Sequence, residues 1–419
     1  MNCAPFCATV IFMIQFPDYT QSLVNVTASL AAFFGITTPH PPLAALEQLL
    51  KNAAHKNGRR YRNVVLFLFD GMGCSVLEHH LKTSSFLRKH FICPVFSVFP
   101  PTTTAAVTSV ETGLTPLEHG RLGWTLYFPE LDKNVNVFTN TLKDSKEQAA
   151  PFHAGNRFIP CTAFYKKEAG VQTDEANGGG TGFYTVSKFG TNKVNNSKEM
   201  FDEVFRLCTE EGGHYIYAYS EKPDSIMHVC GTGSIAAKAC VCGINRSVQR
   251  FCRRLKQTPA GGDTLVLVTA DHGHIPVRNA ELTSYPQLEK MLVRRPSIEA
   301  RAVNFFVKPE YLSDFPRVFG ECFKTLFAAD IDADLKPQHG KTFDTKDADF
   351  LLFSKREALD MELFGTGTAH PSVHTSLGDY LAVACSSLTL VDSPQSNHFK
   401  SHHAGLTAEE MCVPLIALC

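Results

Sequence analysis

At 419 residues with a formal net charge of −1, the chain can bury one large α/β core with a substantial insertion, or form two modest domains. Apolar residues make up 44% and charged ones 19%, an ordinary globular balance that argues against disorder and, with so little net charge, against nucleic acid as a specific partner. None of the 14 cysteines stands in a CxxC pair that would hold a zinc ribbon; many sit in apolar runs (Cys93, Cys208, Cys252, Cys385, Cys412) and read as small buried hydrophobes of a reducing, cytoplasmic compartment, with secretion as the alternative.

Residues 7–14 are apolar, but no Lys or Arg precedes them and they are short for a spanning helix. They read as neither a signal peptide nor a membrane anchor, no membrane partner is expected, and Met13 offers an alternative start. Residues 22–34 carry apolar positions at helical spacing up to Gly35, and a second helix follows Pro41 and Pro42 over 43–54. Residues 63–69 are an almost continuous apolar run, the pattern of a central parallel strand covered on both faces, and Asp70 stands at its C-terminal end, the edge where open α/β sheets bind ligands. Gly71 and Gly73 allow a sharp turn into a helix that reaches about residue 89.

The stretch 97–113 (SVFPPTTTAAVTSVETG) ends a short apolar strand with two prolines and then has the small residues of a helix whose first turn approaches something closely. Unpaired N–H groups at such a terminus favour an anion, and a threonine hydroxyl there becomes a nucleophile when a metal or base removes its proton. Thr102, Thr103 and Thr104 are all candidates, and all equally fit as plain helix caps. A turn over 114–119 and a strand beginning at Leu122 follow. Residues 132–196 lose periodicity, and the glycines at 178–180 suggest loops, read as a segment over the site.

A helix over 198–211 leads to a strand over 215–219 with Asp224 and His228 beyond its end; a long helix over 234–256 leads to a strand over 264–269 with Asp271 and His272 at its end. Three strands thus end in carboxylates, which packing alone does not explain, because a buried carboxylate needs a partner to offset its desolvation. Downstream the pattern gives a strand over 302–307, a helix over 311–327, a strand over 350–353 running into a helix that ends at Gly365, a return to the core sheet at 378–384, and a last strand over 411–418. The expected organisation is a helical lead-in over 1–60, core segments over 61–131, 198–275 and 371–419, an inserted cap over 132–197 and a second insertion over 276–370.

The ordered set of Asp70 in VVLFLFDGMG, the threonines of FPPTTTAAV, Asp224 and His228 in PDSIMHVCG, Asp271 and His272 in LVLVTADHGH, and the late HHAGL resembles the alkaline phosphatase superfamily, and within it the type I phosphodiesterase and nucleotide pyrophosphatase branch. The resemblance implies an α/β, alkaline-phosphatase-like three-layer sandwich with a central, mostly parallel sheet and inserted cap segments. It also implies two divalent ions, zinc first and manganese second. Asp224, His228 and His403 would hold one; Asp70, Thr103, Asp271 and His272 the other. The branch's spacing, with the nucleophile ten residues before the glycine that is Gly113 here, selects Thr103. The likeness of the 403–411 run to the endings of bacterial relatives selects His403 over His402, while His274 and Asp379 are read as structural or supporting. The implied activity is hydrolysis of a small phosphate ester through a metal-activated Thr103 and a phosphothreonine intermediate.

Three ligand carboxylates and an alkoxide carry about −4 against about +4 from two divalent ions, so a monoanionic diester suits the centre better than a dianionic monoester. No arginine lies between Phe99 and Gly113 to offset the extra charge. Monoester or phosphonate-ester hydrolysis, or a binding protein on the same fold, are the alternatives. Trp124 stands where the branch has an asparagine that contacts the phosphoryl oxygen; its indole could donate a hydrogen bond, stack on a base, or be core. A sulfatase would need a modifiable Cys or Ser ahead of Pro-x-Arg, and the Thr103 region has none.

Overall fold

The computed structural model describes residues 13–57, 61–166, 181–331, 342–344 and 348–418. Most of the apolar 7–14 stretch and the glycines at 178–180 lie outside these residues.

The Asn63–Phe69 strand is buried at every position, so the side chains of both its faces are covered. It lies at the centre of a seven-stranded sheet between Thr264–Thr269 and Gly213–Ser220, both parallel to it. Thr181–Ser187 and Asn192–Lys193 continue the parallel run on one side, and antiparallel Cys412–Leu418 with Phe91–Phe96 completes the other. One group of helices pairs Leu23–Phe33 with Thr103–Thr112; a second gathers Cys74–His80, Phe86–Lys89, Ser197–Thr209 and Asp224–Cys230 around Ile235–Leu255. Ile235–Leu255 turns Ala237, Val241, Ile244, Val248, Phe251 and Leu255 inward at three- and four-residue spacing. The expected helix to residue 89 is instead two short ones, broken across 81–85, where Lys-Thr-Ser-Ser supplies no apolar stripe.

An eight-stranded second sheet takes Thr125–Phe128, Lys133–Asn136 and Thr141–Leu142 from one stretch of the chain and five further strands between Ser297 and Ala384 from another. Its faces alternate cleanly: Leu351, Phe353, Leu381 and Val383 enter one core, and Phe350, Leu352, Ala382 and Ala384 a second. Tyr380–Ala384, expected to return to the core sheet, pairs here with Ala302–Phe305 and Phe350–Ser354, because both its faces are apolar and these two cores cover them. The helix expected over 311–327 shortens to Phe315–Cys322, and Thr325–Phe327 joins the sheet beside Phe350–Ser354. A two-residue ladder, Ile275–Pro276 with Ser401–His402, carries the late histidines back to the end of the Thr264–Thr269 strand.

Candidate active site

Register does the first part of the assembly. Thr269 pairs with Leu68 in a parallel ladder, so Asp271 and Asp70 leave adjacent strand ends at equivalent positions. Gly71, at φ +71°, turns the chain immediately afterwards, and a Cβ there would sit 3.0 Å from both the Asp224 Cβ and a ring carbon of His274, so only glycine lets the three segments close. Asp224 opens the seven-residue helix Asp224–Cys230, which places His228 one turn on, its Nε2 3.2 Å from Asp224 Oδ1.

Thr103 is the first residue of the Thr103–Thr112 helix, with Thr102 as its N-cap. Its hydroxyl lies 3.4 Å from Asp70 Oδ2 and 3.4 Å from His272 Nε2. The neighbouring threonines do different things. Thr102 Oγ1 donates to Glu299 Oε1 at 2.5 Å, and Thr104 Oγ1 is buried without a hydrogen-bond partner among the described residues.

Two clusters share His272. Asp70, Asp271 and His272 bring ligand atoms within 4.8 Å of one another, as do Asp224, His272, His274 and His403. Asp271 Oδ1 accepts from the backbone N–H groups of Gly71 and His272, each at 3.0 Å, whereas its Oδ2 is buried with no hydrogen-bond partner among the described residues. His272, His228 and His403 each place Nδ1 2.9 Å from a backbone carbonyl, of Gly273, Ser401 and Pro101 in turn. That bond requires the proton on Nδ1 and turns each Nε2 toward the carboxylates, where it can ligate a metal ion that displaces any proton it carries. The His272 and His403 rings stack at 3.6 Å.

The electrostatics are those of a site that wants a cation. Burial pushes the Asp70 carboxyl up to about 8, with the charges of Asp271 and Asp224 adding to it. For His272, burial opposes protonation but is outweighed by Asp271 and Asp70, which raise it to about 10. Burial, then the charge on His272, drives His403 far below the usual imidazole range. The buried Asp70 and Asp271, the partly buried Asp224, three imidazoles with Nε2 turned inward and an orphaned Asp271 oxygen fit one or more divalent ions.

Of the seven residues expected as ligands, Asp70, Asp224, Asp271, His272 and His403 enter the two clusters, Thr103 stands against Asp70 and His272, and His228 lies outside both clusters, reaching only Asp224; Trp124 lines the same cavity of about 480 Å³ as Thr103, Asp224, His228 and His403. Trp124 is half-buried and stacks on Phe138, with ring centroids 5.9 Å apart. His402, the competing histidine, lines the cavity but lies outside both clusters. Three residues were not read as part of the site. His274, taken as structural or supporting, sits 2.5 Å from Asp224 Oδ1 through Nε2, inside the second cluster. Tyr219 donates to Asp70 Oδ2 at 2.5 Å; its place at the end of the 213–220 strand was the available signal. Glu299 gave no local signal. Asp379 serves the fold, accepting from the Val307 N–H at 2.8 Å.

The type I phosphodiesterase/nucleotide pyrophosphatase family model matches residues 64–311, more than half the chain and a span that includes Asp70, Thr103, Asp224, His228, Asp271 and His272. The chain belongs to this family. It is accordingly a metal-dependent phosphoric ester hydrolase of phosphodiesterase type. Among solved structures it is similar to murine ectonucleotide pyrophosphatase/phosphodiesterase 5, in an inactive form with a threonine replaced by alanine and in complex with AMP (TM-score 0.58, 16% identity, covering 84% of this chain and 87% of that one). The human protein of the same name gives a TM-score of 0.55 at 16% identity with the same coverage. These likenesses establish the alkaline-phosphatase-like fold. No curated protein sequence matches the chain. Among the described residues no helix is long and apolar enough to cross a membrane.

Proposed function

We propose that the protein hydrolyses small phosphodiesters through Thr103 as nucleophile, with two divalent ions, zinc by preference. Asp70, Asp271 and His272 would hold one ion next to the Thr103 hydroxyl, and Asp224, His228 and His403 the other. Such ions lower the pKa of a bound hydroxyl or water and offset the charge of a phosphoryl group. The N-terminal N–H groups of the Thr103–Thr112 helix face an anion and orient its phosphorus in line with Thr103 Oγ1. The hydroxyl oxygen attacks phosphorus, one ester oxygen departs with its alcohol, and the resulting phosphothreonine ester, which keeps the second alcohol, is cleaved by water to free Thr103 and a phosphomonoester. Tyr219 fixes Asp70, and the three backbone-anchored Nδ1 atoms keep the imidazoles in one tautomer throughout.

The observation that carries the reading is the placement of Thr103, alone of the three threonines, against both Asp70 and His272 at the mouth of a cavity. The murine relative, named as inactive with a threonine replaced and in complex with AMP, supports a threonine nucleophile and a nucleotide-like ester. The Trp124 and Phe138 pair offers a planar group a stacking surface. The free thiols of Cys93, Cys208 and Cys412 favour a reducing compartment. The test is hydrolysis of bis-p-nitrophenyl phosphate by zinc-loaded protein, followed by acid quench and peptide mass spectrometry. A p-nitrophenyl phosphoryl group on the Thr103 peptide in the native protein and none in Thr103→Ala is expected; turnover by Thr103→Ala at the native rate would remove Thr103 from its role.

A further inference from the structure

Glu299 sits in the turn between the Ser297–Ile298 and Ala302–Phe305 strands and lines the cavity that holds Thr103. The residue before it, Ile298, is buried at φ +70°, a conformation that a β-branched side chain adopts only when its surroundings impose it. Here Gly123 is packed against it: a Cβ at Gly123 would come within 2.8 Å of Ile298 Cγ2. The distorted turn delivers the Glu299 carboxylate to the cap of the nucleophile helix. Oε1 accepts from the Thr102 hydroxyl at 2.5 Å and from the Trp124 backbone N–H at 3.0 Å. Oε2 has no hydrogen-bond partner among the described residues, and no Lys or Arg among them forms an ion pair with Glu299.

A half-buried carboxylate without a counter-charge, held by a strained turn, is costly as a mere brace, since an amide could accept the same two hydrogen bonds. What an amide cannot supply is charge. Thr102 and Thr103 are consecutive, with Cα atoms about 3.8 Å apart, so the carboxylate lies within one residue's reach of the attacking hydroxyl.

We propose that Glu299 is a specificity-determining residue that sets the charge the site accepts, admitting the singly charged phosphoryl group of a diester and opposing the doubly charged group of a monoester. The inference rests on Thr103 marking the position of phosphorus. One extra negative charge on the substrate at about 8 Å in a partly screened cleft corresponds to discrimination on the order of tenfold.

The experiment compares kcat/KM for bis-p-nitrophenyl phosphate and p-nitrophenyl phosphate at pH 9, where both the monoester dianion and the carboxylate are charged. Glu299→Gln keeps both hydrogen-bond acceptances and should raise the monoester-to-diester ratio roughly tenfold, while Glu299→Asp, which keeps the charge, holds it near the native value. Where Glu299→Gln is not obtained soluble, Glu299→Ser reads the same ratio. Calorimetry in the Thr103→Ala background adds a readout free of turnover: Glu299→Gln should tighten phenyl phosphate roughly tenfold more than it tightens diphenyl phosphate. A ratio that moves by less than about threefold, or equal loss on both substrates, assigns Glu299 to bracing alone and overturns the proposal, as does a native enzyme that prefers the monoester. If the zinc-loaded native protein turns over neither ester, the hydrolase reading of the site fails and this inference with it.

Discussion

Replacing Asp70 with Asn should change the stability of the protein in opposite directions with and without metal. Asp70 is only 3% exposed, and burial, with the charges of Asp271 and Asp224, pushes its carboxyl from the usual 3.8 up to about 8. Between roughly pH 4 and 8 the folded protein keeps a proton that the unfolded chain has released, so metal-free protein loses stability as pH rises through that window. At about 1.4 kcal/mol for each pH unit, the full loss is on the order of 5 kcal/mol. Asp70 also helps to hold His272 protonated, which returns part of that sum, and a net gain of about 2–4 kcal/mol remains for Asp70→Asn above pH 8. Tyr219 can still donate to the amide oxygen, so that hydrogen bond is kept. Thermal unfolding at pH 9 in EDTA should therefore place Asp70→Asn several degrees above the native protein. Adding zinc should reverse the order, because only the native site gains binding energy from the ion. A variant less stable than native protein in EDTA, or one stabilised by zinc to the same extent, would refute the claim that this carboxylate is buried for a cation.

Three further outcomes are expected. Arg301 is fully buried, donates to Glu410 at 2.7 and 2.8 Å and to the Leu388 carbonyl, and leaves Glu410 an unpaired buried charge when lost; Arg301→Met should cost about 3–5 kcal/mol in chemical denaturation, and a change under 1 kcal/mol would contradict the pairing. His403→Ala and His228→Ala should each lower the bound metal by about one ion per chain in elemental analysis while the Asp70, Asp271 and His272 set keeps its own; unchanged content in both would dismantle the second site. Trp124→Ala should raise KM for a nucleotide ester by roughly tenfold with a smaller change for dimethyl phosphate, which has no ring to stack; equal effects on the two would place Trp124 in the core.

The parts of the site legible in the sequence are those that follow from period and position. A fully apolar run such as 63–69 identifies a central strand, and polar residues just past the ends of such strands stand out because packing has no use for them. Choosing Thr103 over its neighbours needed the resemblance, because three adjacent threonines carry no internal clue; the structure separates them by what each hydroxyl faces. The second sheet was hidden. Tyr380–Ala384 is as apolar as a core strand, and only long-range antiparallel pairing decides which sheet receives it. Tyr219 was hidden in the alternation of a strand whose other tyrosines pack, and His274 in the shadow of Asp271 and His272. Glu299 could not be read at all, because it reaches the site through a backbone distortion at Ile298 that composition does not encode.

The central claim is that Asp70, Asp271 and His272 hold one divalent ion, and Asp224, His228 and His403 another, on either side of Thr103. Anomalous diffraction at the zinc edge from crystals grown with zinc measures this directly. Two peaks are predicted, one bridging the Asp70 and Asp271 carboxylates beside the Thr103 hydroxyl and one between Asp224 and the imidazoles of His228 and His403. A single peak, or zinc held elsewhere with these side chains unliganded, would contradict it.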